Sequence, residues 1–275
     1  MNLFSVVILT YNDDKQIGRL LDDLKDIEKV IVVDSYSTDN TQEIVESYGR
    51  KFIQNTFRNQ ASQINWAIGE EFLKDDWVLR LDSDERVTSC LLFEIEQNIN
   101  QAADTFVGYI EREMYWMGKK LRFSAQRRHF IGRIWQIGQA YYEDVTEEHL
   151  IHKSKSIYFK TKFYEENMNN DIIFFIKKHI ITGLGEVSEI TKENLIEDNG
   201  SLFSNHKHRV RRWIKVHAYN KLPLYIRPTF YFLYRYILKL GFLDGKAGFS
   251  FCFFQAFFYR MLIDQLVYEN KKKKE

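Results

Sequence analysis

Two carboxylates one residue apart, Asp82 and Asp84, end the apolar, β-leaning run Trp77-Val-Leu-Arg-Leu-Asp-Ser-Asp-Glu-Arg86. Hard divalent cations take carboxylate oxygens beside a substrate phosphate. In an open α/β sheet the ligand crevice lies outside the carboxyl ends of the strands, where such acids would sit. A lone D-x-D is more often a solvated turn. Two further polar loops change that balance, Thr10-Tyr-Asn-Asp13 and Asp34-Ser-Tyr-Ser-Thr-Asp39, because each also follows a short apolar run. Placed at the ends of successive parallel strands, the three loops converge on one crevice. Tyr11 could then stack on a base, a carboxylate could accept a ring N–H or a ribose hydroxyl, and a cation at Asp82 and Asp84 could neutralise a diphosphate.

The elements needed to hold these loops are legible in the pattern. Residues 3–9 and 29–33 are continuous apolar runs, as expected of strands buried on both faces. Ile17, Leu20, Leu21 and Leu24 recur at i, i+3, i+4 and i+7, a helical stripe. The polar loop from Asp34 can cap a helix carrying Ile44, Val45 and Tyr48. A third strand at 51–54, a third helix at 61–73 and a fourth strand at 77–81 complete the alternation. This predicts an α/β fold with a mostly parallel sheet, helices on both faces and right-handed crossovers. Beyond Thr105, short alternating pieces at 106–110, 133–137 and 156–159 predict antiparallel strands laid beside the parallel set. From Asn205 onward the reading is helical.

The chain has 275 residues, 45% hydrophobic and 28% charged, with a net charge of +1. That length accommodates one large domain with an appendage, here a catalytic domain over 1–200 and a helical extension over 201–275. Nothing in the balance implies nucleic acid. The charge is uneven, however: acids are frequent in the first hundred residues, while basic residues gather at His206–Arg212 and in the Lys271–Lys274 tail. Such asymmetry predicts a polyanionic partner for the C-terminal part. Two cysteines, Cys90 and Cys252, indicate a reducing compartment, and both are expected as buried small hydrophobes. No secretory leader is read at the N-terminus and no apolar run reaches membrane-spanning length.

Four ordered motifs resemble the family 2 glycosyltransferases of GT-A fold: Ser5–Asn12, Asp34–Thr41, Ala61–Trp66 and Asp76–Glu85. The resemblance covers roughly the first 150 residues. Asp144-Val-Thr-Glu-Glu-His149 and the run 167–179 look like the subgroup that builds bacterial lipopolysaccharide core, capsule or exopolysaccharide. Carried over, the resemblance puts Tyr11 and Asp34 at the nucleotide base and Asp13 near the ribose. It puts Asp82 and Asp84 at the ribose and the metal-bound diphosphate. Thr10 and Gln63 belong to the same donor-binding motifs, and His149 is an additional metal ligand or holds the base. Mn2+ or Mg2+ and a nucleotide diphosphate sugar, UDP-sugar first among them, are the implied cofactors. Tyr36 departs from the pattern, standing where the family usually has a small glycine-like residue. Ile64 stands where Arg is common.

Inverting transfer needs a carboxylate to take the acceptor hydroxyl proton. Glu148 is the first choice, Glu147 the second and Asp144 the third, with an acidic surface turn as the alternative. The implied partners are a nucleotide sugar, a glycan or glycolipid acceptor and the inner face of a cell membrane, with a cytoplasmic, peripheral location. Nucleotidyl transfer is disfavoured because no Gly-rich phosphate loop occurs near the N-terminus. A non-catalytic binding component of a polysaccharide assembly complex is the competitor from another class. Arg127, Arg128 and Arg133 are either diphosphate contacts or a solvated strand edge. Arg235 and Lys239, four residues apart, are expected on one basic helix face, with the aromatic residues beyond 225 docking on a membrane or on a second copy.

Overall fold

The computed structural model describes residues 3–69, 73, 77–126, 128–143, 150–166 and 222–272, with scattered positions between 172 and 219. The first half alternates as the apolar runs require: β1 (Phe4–Thr10), α1 (Ile17–Asp23), β2 (Val30–Asp34), α2 (Thr41–Ser47), β3 (Lys51–Gln54), α3 (Gln60–Ile68) and β4 (Trp77–Asp82). Every residue of β1 and β2 is buried, which is why neither strand shows polar alternation. β5 (Glu85–Arg86) and α4 (Ser89–Gln101) follow, and Thr88 caps α4 by accepting from the Leu91 N–H at 3.3 Å.

The antiparallel part consists of β6 (Phe106–Trp116), β7 (Lys119–Lys120), β8 (His129–Gln136) and β11 (Lys155–Glu166). These strands run further than the short pieces expected from the sequence. The sheet order is β3-β2-β1-β4-β8-β6-β11-β5, with β7 on β6. β1, β2, β3 and β4 pair parallel, whereas β4 with β8 and β8 with β6 pair antiparallel. The expected α/β class is thus found, with both kinds of ladder in one sheet. A separate ladder joins β9 (Ala140–Tyr142) to β10 (Leu150–His152).

Both faces of the sheet are covered. One carries Val6, Ile8, Leu20, Leu21, Leu79, Leu91 and Phe106; the other carries Val7, Val33, Ile64, Val78, Trp135 and Tyr142. The ladder between β6 and β8 shifts register: Gly108 faces Ile134 and Tyr109 faces Gly132, so Arg133 is an extra residue on β8. Such a bulge bends a strand and redirects a side chain. Gly108 permits the close approach there, since a Cβ would lie 2.1 Å from Ile134 Cγ2 and 2.4 Å from the Phe159 ring.

The chain divides into two compact units, residues 1–114 with 128–169, and residues 115–127 with 170–275. In the second, helices α5 (Ile226–Leu233), α6 (Gly245–Cys252) and α7 (Tyr259–Lys272) are joined by π turns at Tyr234–Leu238 and Phe253–Phe258 and a 3-10 turn at Gly241–Asp244. Asp244 is buried, and its carboxylate accepts from the backbone N–H groups of Arg122, Phe123 and Ser124 at 3.1, 2.9 and 2.8 Å. Cys252 is buried as expected, but Cys90 is exposed at the start of α4. Among the described residues no helix is long and apolar enough to cross a membrane.

Candidate functional site

Strand register brings the predicted loops together. Thr10 pairs with Asp34 across β1 and β2, and Leu9 pairs with Asp82 across β1 and β4, so the three polar loops leave the sheet together at the carboxyl ends of these strands. The first two loops are laced to each other. Asn12, at φ 51°, donates its backbone N–H to Ser37 Oγ at 2.8 Å, and its Oδ1 accepts from Thr38 N–H at 2.8 Å. The Asp13 N–H donates to Thr41 Oγ1 at 3.0 Å, and the Asp14 N–H donates to Asp39 Oδ2 at 3.1 Å. Buried Asp13 accepts through its carboxylate from Ser83 Oγ, which ties the first loop to the D-x-D loop.

Asp34 is fully buried. Its carboxylate accepts from the Ser37 N–H at 2.8 Å, from Gln54 Nε2 at 3.0 Å and from the Ser37 hydroxyl. Gln63 is also buried and braces the second loop from behind. Its Nε2 donates to Ser35 Oγ at 2.9 Å and to the Asn55 carbonyl at 3.0 Å, while its Oε1 accepts from Asn55 Nδ2 at 2.5 Å. Thr10 is buried at the strand end, and its hydroxyl has no hydrogen-bond partner among the described residues. Tyr11 and Tyr36 expose about half of their surface, at 47% and 54%. Tyr36 keeps the left-handed backbone of a glycine-like position, φ 61°, despite its side chain.

Beneath the D-x-D lies a buried network of charge. Asp82 Oδ1 accepts from Arg80 Nη2 at 2.8 Å, and Oδ2 lies 3.3 Å from Arg133 Nη2. Arg133 also pairs with Glu85, and Glu85 Oε2 accepts from the Asp82 N–H at 3.0 Å. Arg80, Arg133 and Glu85 are buried, with the guanidinium of Arg80 over the Tyr142 ring and that of Arg133 over Phe163. Burial, aided by neighbouring Asp82 and opposed by the Arg133 and Arg80 guanidinium groups, raises the Glu85 carboxyl from 4.5 to about 8. Glu165, opposite Glu85 in the ladder of β11 with β5, is held by Arg112 Nη1 at 2.5 Å. Asp84 follows at the strand end, half-buried, and its backbone carbonyl accepts from the Glu166 N–H at 3.1 Å.

Thr10, Asp34 and Asp82 end their strands, and Tyr11, Asp13 and Asp84 lie on the loops that follow, so all six gather at the carboxyl ends of β1, β2 and β4. Arg133 is neither a solvated edge residue nor an exposed cation, because the bulge turns it inward onto Asp82 and Glu85. Arg128 is exposed, at φ 49°. Asp144, Glu147, Glu148, His149 and Arg127 lie outside the described residues. The strands flanking 144–149 are described, and Asn65 ties them to α3 by donating to the Tyr142 carbonyl at 2.6 Å. Missed from sequence were Arg80, Glu85 and Ser37. The one signal for Arg80 was a charged residue inside an otherwise apolar strand, a position that demands a buried counter-charge.

Among relatives, an uncharacterized glycosyltransferase of Rickettsia bellii is 37% identical over 107 residues, 38% of this chain and 36% of that protein. The lipopolysaccharide core biosynthesis glycosyltransferase LpsC of Rhizobium meliloti is 29% identical over 120 residues, 42% of this chain and 43% of its own length. The chain thus spans well under half the length of these relatives. Among solved structures, S. aureus TarS residues 1–349 superposes with a TM-score of 0.48 at 16% identity, covering 99% of this chain and 92% of that one. The sequence profile described as glycosyl transferase family 2 matches residues 5–165, more than half of the chain. The chain belongs to glycosyl transferase family 2.

Proposed function

We propose that this chain is a metal-dependent, inverting glycosyltransferase that moves a sugar from a nucleoside diphosphate, UDP first, to a hydroxyl of a glycan or lipid-linked glycan. The observation that carries this reading is the convergence of Thr10, Asp34 and the Asp82–Asp84 pair at the carboxyl ends of β1, β2 and β4. Exposed Tyr11 supplies a ring for a nucleobase, and the buried Thr10 hydroxyl supplies a donor and acceptor without a partner among the described residues. Asp34 and Gln63 hold the second loop in shape. Asp13 fixes the first loop against Ser83.

The residues fit a cation shared with substrate rather than a preformed cage. Asp82 already faces two guanidinium groups, and no group of three His, Cys, Asp or Glu that could hold a metal exists among the described residues. Asp84 is the carboxylate that would hold the ion, as one or two protein carboxylates commonly do when Mg2+ is shared with substrate phosphates. When bound, the ion supplies charge neutralisation for the departing diphosphate. Glu148, with Glu147 and then Asp144 behind it, takes the acceptor proton as the hydroxyl oxygen bonds to the anomeric carbon and the bond to the diphosphate breaks. The kinship with a lipopolysaccharide core enzyme supports an envelope glycan as acceptor class.

The test is a panel of nucleotide sugars incubated with the full chain in Mn2+ or Mg2+. Release of nucleoside diphosphate from one donor, lost on chelation, supports the reading; no turnover and no donor binding across the panel would overturn it.

A further inference from the structure

The segment Ile226–Leu238 is built inside out. Ile226, Phe230, Leu233, Tyr234, Ile237 and Leu238 recur at i, i+4, i+7, i+8, i+11 and i+12, so they share one helix face. That face is turned to solvent, with exposures from 40% to 74%. The two arginines of the segment point the other way. Arg227 is buried and donates from Nε to Asp264 Oδ1 at 2.7 Å, and Asp264 Oδ2 also accepts the Tyr225 N–H at 2.8 Å. Arg235 donates to the Ser124 carbonyl with its guanidinium 5.0 Å from the Phe251 ring centroid. It is therefore not part of a basic face with Lys239, as the spacing suggested.

A helix facing water puts its charges outward and its apolar stripe inward; this one does the reverse, at the cost of burying an ion pair. The apolar surface continues through exposed Phe242 and Leu243. Between residues 222 and 263 the one acid is Asp244, which is buried, and the exposed charged side chains are Lys239 and Lys246.

We propose that this face docks in the plane of an anionic lipid surface. The inference goes beyond the proposed reaction and does not depend on it. Eight residues of α5 and five of the π turn rise about 20 Å. That is short of the roughly 30 Å hydrocarbon core, so the segment lies in the surface rather than crossing it. Charge complementarity selects the occupant. A second copy seated on the same face would bring Lys239, which lies over the Tyr234 ring, toward its own counterpart with no exposed acid on the stretch to meet it. An anionic leaflet complements the apolar face and Lys239 at its end.

Flotation of the full-length chain with vesicles tests this. Vesicles of phosphatidylcholine and phosphatidylglycerol in equal parts should carry the protein up the gradient at low salt, and phosphatidylcholine alone should carry much less. The double variant Phe230→Ser, Leu238→Glu should lower the bound fraction by about tenfold or more, because it withdraws two side chains from lipid. Its circular dichroism melt should stay close to wild type, since both side chains face outward. A second double variant, Phe230→Ala with Leu238→Ala, should lower binding in the same direction without adding charge. Absence of wild-type flotation, or equal flotation of the variants, would overturn the proposal. So would a wild-type dimer in light scattering that the variants dissociate and that does not float. Donor binding, measured on the same samples without vesicles, reports separately on the proposed reaction.

Discussion

Arg133 Nη2 lies 3.3 Å from Asp82 Oδ2 because β8 carries one more residue than β6 at that point. The same guanidinium pairs with Glu85, so one bulged residue sets the carboxylate that begins the D-x-D and the acid that follows it. Removing it leaves buried Glu85 without its guanidinium partner, beside a half-buried Asp82 that keeps Arg80. Arg133→Leu should destabilise the chain by about 1–3 kcal/mol, the usual cost of leaving a buried hydrogen-bonding group without its partner. Arg133→Lys keeps the charge but not the forked geometry and should cost less. Urea unfolding checks both; if Arg133→Leu were as stable as wild type, the network would not be a structural element of the site.

Glu85 gives the network a pH signature. Its carboxyl is raised in the folded chain from 4.5 to about 8. Between those values the folded state holds a proton that the unfolded state has released, so this group's contribution to stability falls as pH rises and levels off above about 8. Glu85→Gln should flatten that part of the profile. Thermal melts of both proteins from acid to alkaline pH provide the comparison, and parallel curves would contradict the assignment.

Tyr36 sits at φ 61° where a glycine would be unstrained. Tyr36→Gly relieves about 1–2 kcal/mol of backbone strain and loses about 0.5–1 kcal/mol to chain entropy, for a small net gain in stability. If the exposed ring serves the nucleoside, donor affinity falls while stability rises. A variant less stable than wild type would mean that the ring holds the loop itself.

The parallel half of the sheet was readable because strands buried on both faces have no alternative to a continuous apolar run. β1 and β2 are the clearest cases, and Thr10 and Asp34 follow as the polar residues that end such runs; β4 ends likewise on Asp82, but with Arg80 inside it. Arg133 was not readable, since an extra residue in a strand leaves the local composition unchanged; Gly108 and Gly132 are the small residues that make room, and neither marks a bulge by itself. Gln63 fell within a recognised motif, but its carboxamide turns to Ser35 and Asn55 across the fold, which spacing along α3 does not encode. Arg235 was assigned outward because Lys239 follows at i+4; the Ser124 carbonyl that receives it lies 111 residues away.

Glu148→Gln should leave donor affinity close to wild type and lower turnover by about 10²–10⁴, as expected for loss of a general base. Should Glu147→Gln give that profile instead, with Glu148→Gln normal, the two roles are exchanged. Single-turnover kinetics with donor and acceptor would separate binding from chemistry.

Asp84→Ala tests the central claim most directly, because Asp84 is the carboxylate at the strand end that would hold a cation shared with the donor diphosphate. Calorimetric titration of the active nucleotide sugar, with and without Mn2+ or Mg2+, should show metal-dependent donor binding in wild type and its loss in Asp84→Ala, at an unchanged melting temperature. Turnover should fall with it. A folded Asp84→Ala that binds donor with the same metal dependence and turns it over at the wild-type rate would contradict the account.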